Sequence, residues 1–431
     1  MFDKIKNIAL KTDRFLYKKF GSDKSTKFLQ NIKEAQTIFS YLNEAGKENT
    51  VRFVGGCVRK AINGESIDDI DLATSLEPDE VKKKLKEKGI KVIDTGIAHG
   101  TVTAILNKKK FEITTLRKDV ETDGRHASIE FTTSWEQDAS RRDFTINAIY
   151  ADIEGRIFDP LDGITDLKNG KIKFIGSPEK RVQEDYLRIL RYFRFFIQYS
   201  KTDHDPNIIH LLKKNINGLN IISNERIFDE LKKILVLKNV YRIFSDNISK
   251  DIFLNIFSQF EYYKRLKLIN NSDSEIRKRY DSLLIVAALI IDKSSNYEYF
   301  CHKYKLSNDV KNRFKNISTN IENFKKKNFF TKENIKKLIY FSNKQYVKDL
   351  LLLSICLNNK KNLNIKELIN YVDKCDVPKF PISGDELKNY GYETGKELGK
   401  KLKYLKETWI KNNFIIEKKF IEKFLSKERK N

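Results

Sequence analysis

The sequence predicts an α+β chain, with a mixed head of strands and helices followed by an all-helical neck, body and tail. Short β-branched and aromatic runs, separated by glycine and polar turns, are confined to residues from about 50 to 176. After Pro178, apolar residues recur at intervals of three and four with lysine-rich stretches between them. At 431 residues the chain exceeds what one hydrophobic core organises, so several modules are expected.

Taken in order, residues 1–30 form an N-terminal extension. Its first twenty residues mix Lys, Asp and Arg into the apolar ones and hold no uninterrupted hydrophobic region, which argues against a signal peptide. Ile32, Ala35, Phe39 and Leu42 recur at helical spacing, and the polar residues 43–50 end that helix. Residues 51–54 read as a strand entering Gly55-Gly56. Strands are expected at 92–93, 100–106 and 111–115, with a hairpin turn at 107–110, and again at 146–153 and 171–176, completing a head over 31–176. Residues 179–199 read as one strong helix opening a neck over 177–236, with a helical body over 237–370 and a tail over 371–431. The longest apolar run, residues 283–291, is too short to span a bilayer and predicts a buried helix. Six prolines and no Gly/Ser-rich linker predict helical units packed without flexible tethers, and no fixed-period repeat is visible.

Lys and Arg total 83 against 59 Asp and Glu, a net charge of +24, enough to capture and steer a polyanion. A bland alternative is that lysine is abundant along with Asn and Ile, so part of the charge is solvated surface. With 40% apolar and 12% aromatic residues the chain can still bury a core. Cys57, Cys301, Cys356 and Cys375 lie far apart without paired spacing, which predicts neither a zinc site nor a disulfide framework and fits reduced thiols in the cytoplasm.

Four segments carry chemistry. Phe53-Val54-Gly55-Gly56-Cys57-Val58-Arg59 is a strand entering a double glycine and then a helix with a basic residue, a geometry that lets backbone N–H groups approach a triphosphate. Alone, such a pair is more often a simple turn. In Asp68-Asp69-Ile70-Asp71-Leu72, residues two apart on a strand share a face, so Asp69 and Asp71 point together. Two like charges side by side favour a cation between them; a solvated loop or helix cap is the alternative. Arg141-Arg142-Asp143-Phe144-Thr145-Ile146-Asn147 places an arginine fork suited to phosphate beside a β-reading run, or merely an exposed Arg–Asp pair. Finally, Glu184-Asp185-Tyr186-Leu187-Arg188-Ile189-Leu190-Arg191-Tyr192-Phe193-Arg194 would set Arg188, Arg191 and Arg194 along one broad face of a helix beside Asp185, a face that suits an NTP or plain solvent.

Together these segments resemble the class II tRNA nucleotidyltransferase and bacterial poly(A) polymerase family, whose head carries Gly-Gly-x-Val-Arg-Asp, Asp-x-Asp, Arg-Arg-Asp-x-Thr-Ile-Asn and Glu-Asp-x-x-Arg motifs in this order. The likeness is close over residues 51–196 and looser over 224–231 and 382–402. It implies a nucleotidyltransferase head of the polymerase β type. It also implies that Gly55, Gly56 and Arg59 meet the NTP phosphates, that Asp69 and Asp71 bind Mg2+, and that Glu112 supports them as a third carboxylate. Arg142, Arg191 and Arg194 would contact nucleotide, and Asp185 and Arg188 would read the base. Residues 117–126 look like the family's flexible loop, and Ala98-His99-Gly100 resembles its tRNA enzymes more than its poly(A) polymerases. One position departs: Lys60 stands where the family usually has Asp.

The implied reaction is template-independent addition of C, C and A from CTP and ATP to the 3′ end of tRNA. The RNA 3′-hydroxyl attacks the NTP α-phosphate with assistance from two metals, and pyrophosphate leaves. Asp185 accepts and Arg188 donates, a polarity matched by the amino groups and adjacent acceptors of cytosine and adenine but opposed by the carbonyl edges of uracil and guanine. Three alternatives remain at this level: an A-only enzyme or poly(A) polymerase, a catalytically silent RNA-binding protein, and an added phosphohydrolase domain hinted at by His204-Asp205. The complete Asp and Arg set speaks against the second. Too few histidines speak against the third, and that dipeptide is read as surface loop.

Overall fold

The computed structural model describes residues 29, 31–43, 50–67, 69–96, 100–122, 127–292, 294–326, 328–357, 364–389, 391 and 393–427. All of the extension 1–30 except Leu29, together with Ala98, His99 and residues 123–126, lies outside them. The chain divides into two compact units, Met1–Ile252 and Phe253–Asn431.

In the first unit, α1 (Lys33–Leu42) precedes β1 (Val51–Val54), α2 (Gly56–Ile62), β2 (Ile70–Thr74), α3 (Pro78–Glu87), β3 (Lys91–Gly96), β4 (Thr101–Leu106) and β5 (Lys109–Thr115). Asn107 and Lys108 take φ of 50° and 66°, the two-residue turn whose twist matches a hairpin, so Leu106 pairs with Lys109. Of residues 117–126, expected as a flexible loop, the described 117–122 form β6 (Arg117–Thr122), which pairs with β7 (Ala127–Phe131) in a separate two-stranded sheet. After α4 (Trp135–Ser140), the short strands β8 (Tyr150–Ala151) and β9 (Ile157–Phe158) complete a seven-stranded sheet in the order β3-β4-β5-β2-β1-β8-β9. Only β2 and β5 run parallel within it.

Strand alternation assigns the faces. Val51, Phe53, Leu72, Phe111 and Ile113 join Ile38 and Phe39 of α1, Val58 of α2 and Val81 of α3 in one core. Val54, Ala73, Tyr150 and Phe158 belong to a second core. Arg52 on β1 lays its guanidinium 4.3 Å from the Trp135 ring centroid and 4.7 Å from that of Phe158. Asp71 and Glu112 occupy alternate positions to the first core's residues, so the sheet turns both carboxylates away from that core.

Two expected strands are corrected. Within 146–153 only Tyr150–Ala151 is strand, because Thr145–Asn147 forms a 3-10 turn; within 171–176 only Phe174 bridges, to Phe144. Thr145 Oγ1 donates to Asp166 Oδ2 at 2.7 Å and Asn147 Nδ2 to Asp143 Oδ1 at 2.7 Å, local side-chain bonds that compete with a ladder. The helix expected over 179–199 is two helices, α6 (Pro178–Glu184) and α7 (Arg188–Tyr199), after α5 (Gly163–Asn169). Asp185 ends α6 in an extended conformation and accepts the Leu187 N–H at 3.1 Å, which interrupts the helical ladder. His204-Asp205 is loop, as expected, with Asp205 exposed, but His204 is half-buried: its ring stacks 3.5 Å from that of Phe196, and its nitrogens meet Tyr192 Oη at 3.1 Å and Ser249 Oγ at 2.9 Å. Asp205 caps α8 (Pro206–Lys214), and α9 (Asn224–Leu235) follows.

Among the described residues no strand lies beyond Phe158. In the second unit the apolar run forms the buried helix Ser282–Ile290, and Arg313 grips the buried Asp349 with two bonds of 2.7 and 2.8 Å. No described helix is long and apolar enough to cross a membrane, and all four cysteines are free and buried.

Candidate active site

An acidic corner begins on β2. Asp71 stands opposite Glu112 in the parallel register, and the exposed Asp69 precedes the strand. Burial pushes the Asp71 carboxyl up, the Glu112 and Asp69 carboxylates add to it, and Arg142 and Arg59 oppose, leaving it near 6. Gly55 at φ 64° and ψ −112° adopts a conformation suited to glycine. A Cβ on Gly56 would stand 3.8 Å from Asp71 Oδ2, so the double glycine lays the backbone against that carboxylate.

Around this corner the arginines are tethered, each by a different device. Asp138, on α4, accepts Arg142 Nη2 at 2.9 Å, Arg141 Nη2 at 2.6 Å and the Tyr150 hydroxyl at 2.7 Å. Burial would push the Asp138 carboxyl up, but the two guanidiniums and the hydroxyl outweigh it and hold it at about 2. The carboxylate partner of Arg142 is therefore Asp138 and not the adjacent Asp143. Asp143 instead takes Arg191 Nη2 at 2.6 Å; burial raises its carboxyl, and Arg191 with Asn147 brings it down to about 2. Arg194 pairs with the buried Glu230 of α9. Arg188 donates to Glu184 Oε2 at 2.6 Å and to the Arg181 carbonyl at 2.8 Å. Asp185 pairs with Arg226 at 2.8 Å.

Arg59 is buried at 5% exposure, donates to Asn147 Oδ1 and lies over the rings of Phe195 and Tyr199 at 4.8 and 5.0 Å, while its Nε has no hydrogen-bond partner. It is oriented by an amide and two rings, with no help from a carboxylate at position 60. Lys60 itself joins the cleft lining.

Gly55, Gly56, Arg59, Asp69, Asp71, Arg142, Asp185, Arg188, Arg191 and Arg194 all line one cleft of about 810 Å³. Glu112 is not in its lining and acts on Asp71 from the neighbouring strand. Sequence reasoning did not assign Asp143, Asn147, Phe195, Gln198, Arg226, Lys233, Val236 and Leu237 to this cleft. Asp143 and Asn147 sit inside a motif already singled out. Arg226 and Glu230 lie in the segment 224–231 that carried only loose resemblance. For Phe195 the only signal was its place directly after Arg194 on an aromatic-rich helix.

Among the described residues no three His, Cys, Asp or Glu side chains form a ready-made metal cage. The fit is to a hard cation held by one or two carboxylates, its remaining positions left to water and substrate phosphate, as Mg2+ is commonly bound. Asp69 and Asp71, which both line the cleft, would supply those carboxylates.

Comparison with known proteins gives the lineage. Residues 51–173 match the family model described as Poly A polymerase head domain, and residues 204–263 that of the probable RNA and SrmB-binding site of polymerase A. The human protein named CCA tRNA nucleotidyltransferase 1, mitochondrial, is 36% identical over 403 residues, 88% of each chain. The chain belongs to the CCA tRNA nucleotidyltransferase family. Another relative in this family, the CCA-adding enzyme of Ligilactobacillus salivarius, is 34% identical over 65% of this chain and 68% of its own. The fold agrees: the crystal structure of the Bacillus stearothermophilus CCA-adding enzyme in complex with CTP superposes with a TM-score of 0.71 at 24% identity, covering 92% of this chain and 97% of that one. A nucleotidyltransferase head followed by helices is thus the family architecture.

Proposed function

We propose that this chain adds C, C and A, taken from CTP and ATP, to the 3′ end of tRNA without a nucleic-acid template. The observation that carries the proposal is the convergence on one cleft of the Asp69–Asp71 corner, the double glycine and the tethered arginines. Family membership supplies the substrate class, and the +24 net charge suits a polyanion.

The RNA 3′-hydroxyl forms the new bond to the α-phosphorus as the bond to the β-phosphate oxygen breaks and pyrophosphate leaves. Mg2+ held by Asp69 and Asp71 would supply activation of the hydroxyl and neutralisation of the departing charge. Arg142 and Arg191 orient the phosphates with the donors that Asp138 and Asp143 leave uncommitted, and their tethers spare the cost of freezing long side chains. Glu112 keeps the acidic corner negative. Asp185 accepts the base amino group and Arg188 donates to the neighbouring ring acceptor. A head over 31–176, neck over 177–236, body over 237–370 and tail over 371–431 belong to the same reading, with the helical units gripping tRNA.

Four reduced cysteines suit a reducing compartment, and we place the protein in the cytoplasm. The human relative is named mitochondrial, so organelle fractionation is the check; recovery with mitochondria would contradict that placement. Function is tested with tRNA lacking its 3′ end and each labelled NTP in turn. Incorporation of C, then of one A, is expected. Addition of A alone, or of long A tracts, would make it an A-adding enzyme or a poly(A) polymerase; no addition would leave an RNA-binding protein.

A further inference from the structure

We infer that Arg226 sets base choice by holding the Asp185 carboxylate in the orientation that accepts an incoming amino group. The inference rests on the base-reading role proposed for Asp185. Asp185 lies in the break between α6 and α7 at φ −152° and ψ 101°, so no helical neighbour fixes its side chain. Two donors do: the Leu187 N–H meets Oδ1 at 3.1 Å and Arg226 Nη2 meets Oδ2 at 2.8 Å. A carboxylate offers about four acceptor positions, so two anchors fix its rotation and still leave room for a base amino group.

Arg188, which the sequence sets beside Asp185, bonds through Nη1 to Glu184 and the Arg181 carbonyl and leaves its other donors for the base. Among the described residues Arg226 is the cation in ion-pair contact with Asp185. It is carried on the first turn of α9, where the Ser223 hydroxyl caps its N–H at 3.4 Å. Its side chain is 52% exposed and lines the cleft, so the pair adds little to fold stability and its effect is local. Without that anchor Oδ2 is free to turn, and the acceptor that repels the carbonyl edge of uracil is no longer held in place.

The test is single-nucleotide addition to tRNA ending before its first C. CTP and UTP are compared for the wild type, Asp185→Ala, Arg226→Ala, Arg226→Lys and the Asp185→Ala/Arg226→Ala double variant. Arg226→Ala should lower the CTP-to-UTP ratio of kcat/KM about tenfold, a coupling typical of residues in contact. Arg226→Lys should restore part of it by supplying one donor, and in the Asp185→Ala background the loss of Arg226 should not move the ratio. A wild-type ratio in Arg226→Ala, with Asp185→Ala relaxed, would overturn the role of Arg226 alone. So would an equal fall of kcat for both nucleotides. An unchanged ratio in Asp185→Ala would overturn the base-reading assignment beneath it.

Discussion

Asp71 concentrates the energetic conflict of the site, since its half-buried carboxyl stands beside two others and is raised to about 6. Asp69→Ala or Asp71→Ala should abolish nucleotide incorporation yet leave tRNA affinity nearly unchanged, because binding is spread over many cations. Filter binding alongside the incorporation assay checks this, and turnover in both variants would remove the catalytic assignment. Asp138 makes the opposite case. Its carboxyl lies at about 2, below the unfolded value, so its stabilisation is present above about pH 4 and is lost as the pH falls toward 2. Asp138→Asn should therefore cost about 2 kcal/mol at pH 7 and much less at pH 2.5, read by denaturant unfolding. The two residues also differ in how visible they were. Asp71 and the glycines follow local rules of strand alternation and turn conformation, whereas Asp69, expected on the same strand face, lies just before β2. Asn147 serves Arg59 across 88 residues and Arg226 serves Asp185 across 41, separations that no local pattern encodes.

At the level of elements, the strands paired through a tight turn were legible, because Asn107 and Lys108 close β4 onto β5 by turn chemistry alone. The break between α6 and α7 was not, because apolar periodicity continues through it while Asp185 diverts a backbone N–H to its own side chain. The turn at Thr145–Asn147 was missed for the same reason. That turn is also packed to its limit: a Cβ on Gly163 would fall 2.2 Å from the Thr145 carbonyl oxygen, so backbone must shift. Gly163→Ala should destabilise the first unit by about 1–3 kcal/mol, measured as a lowered melting temperature. It should also depress activity, since the displaced turn carries the Asn147 that orients Arg59. Unchanged melting would show that the loop yields easily.

For the molecule as a whole, composition announced a basic, multi-unit, largely helical chain, and that much follows from charge and period alone. Affinity for tRNA should fall steeply with salt, about 1,000-fold between 50 and 200 mM if some six phosphates are neutralised. A flat salt response in a filter-binding titration would mean that the +24 charge is idle surface. The central claim is that one cleft selects C and A and uses them in order. It is met most directly by sequencing the 3′ ends of a tRNA that lacks its terminal three nucleotides, after incubation with all four NTPs and Mg2+. Ends extended by C, C and A and then halted are expected; ends left unextended, or extended with U or G as readily as with C, would contradict selection by this cleft.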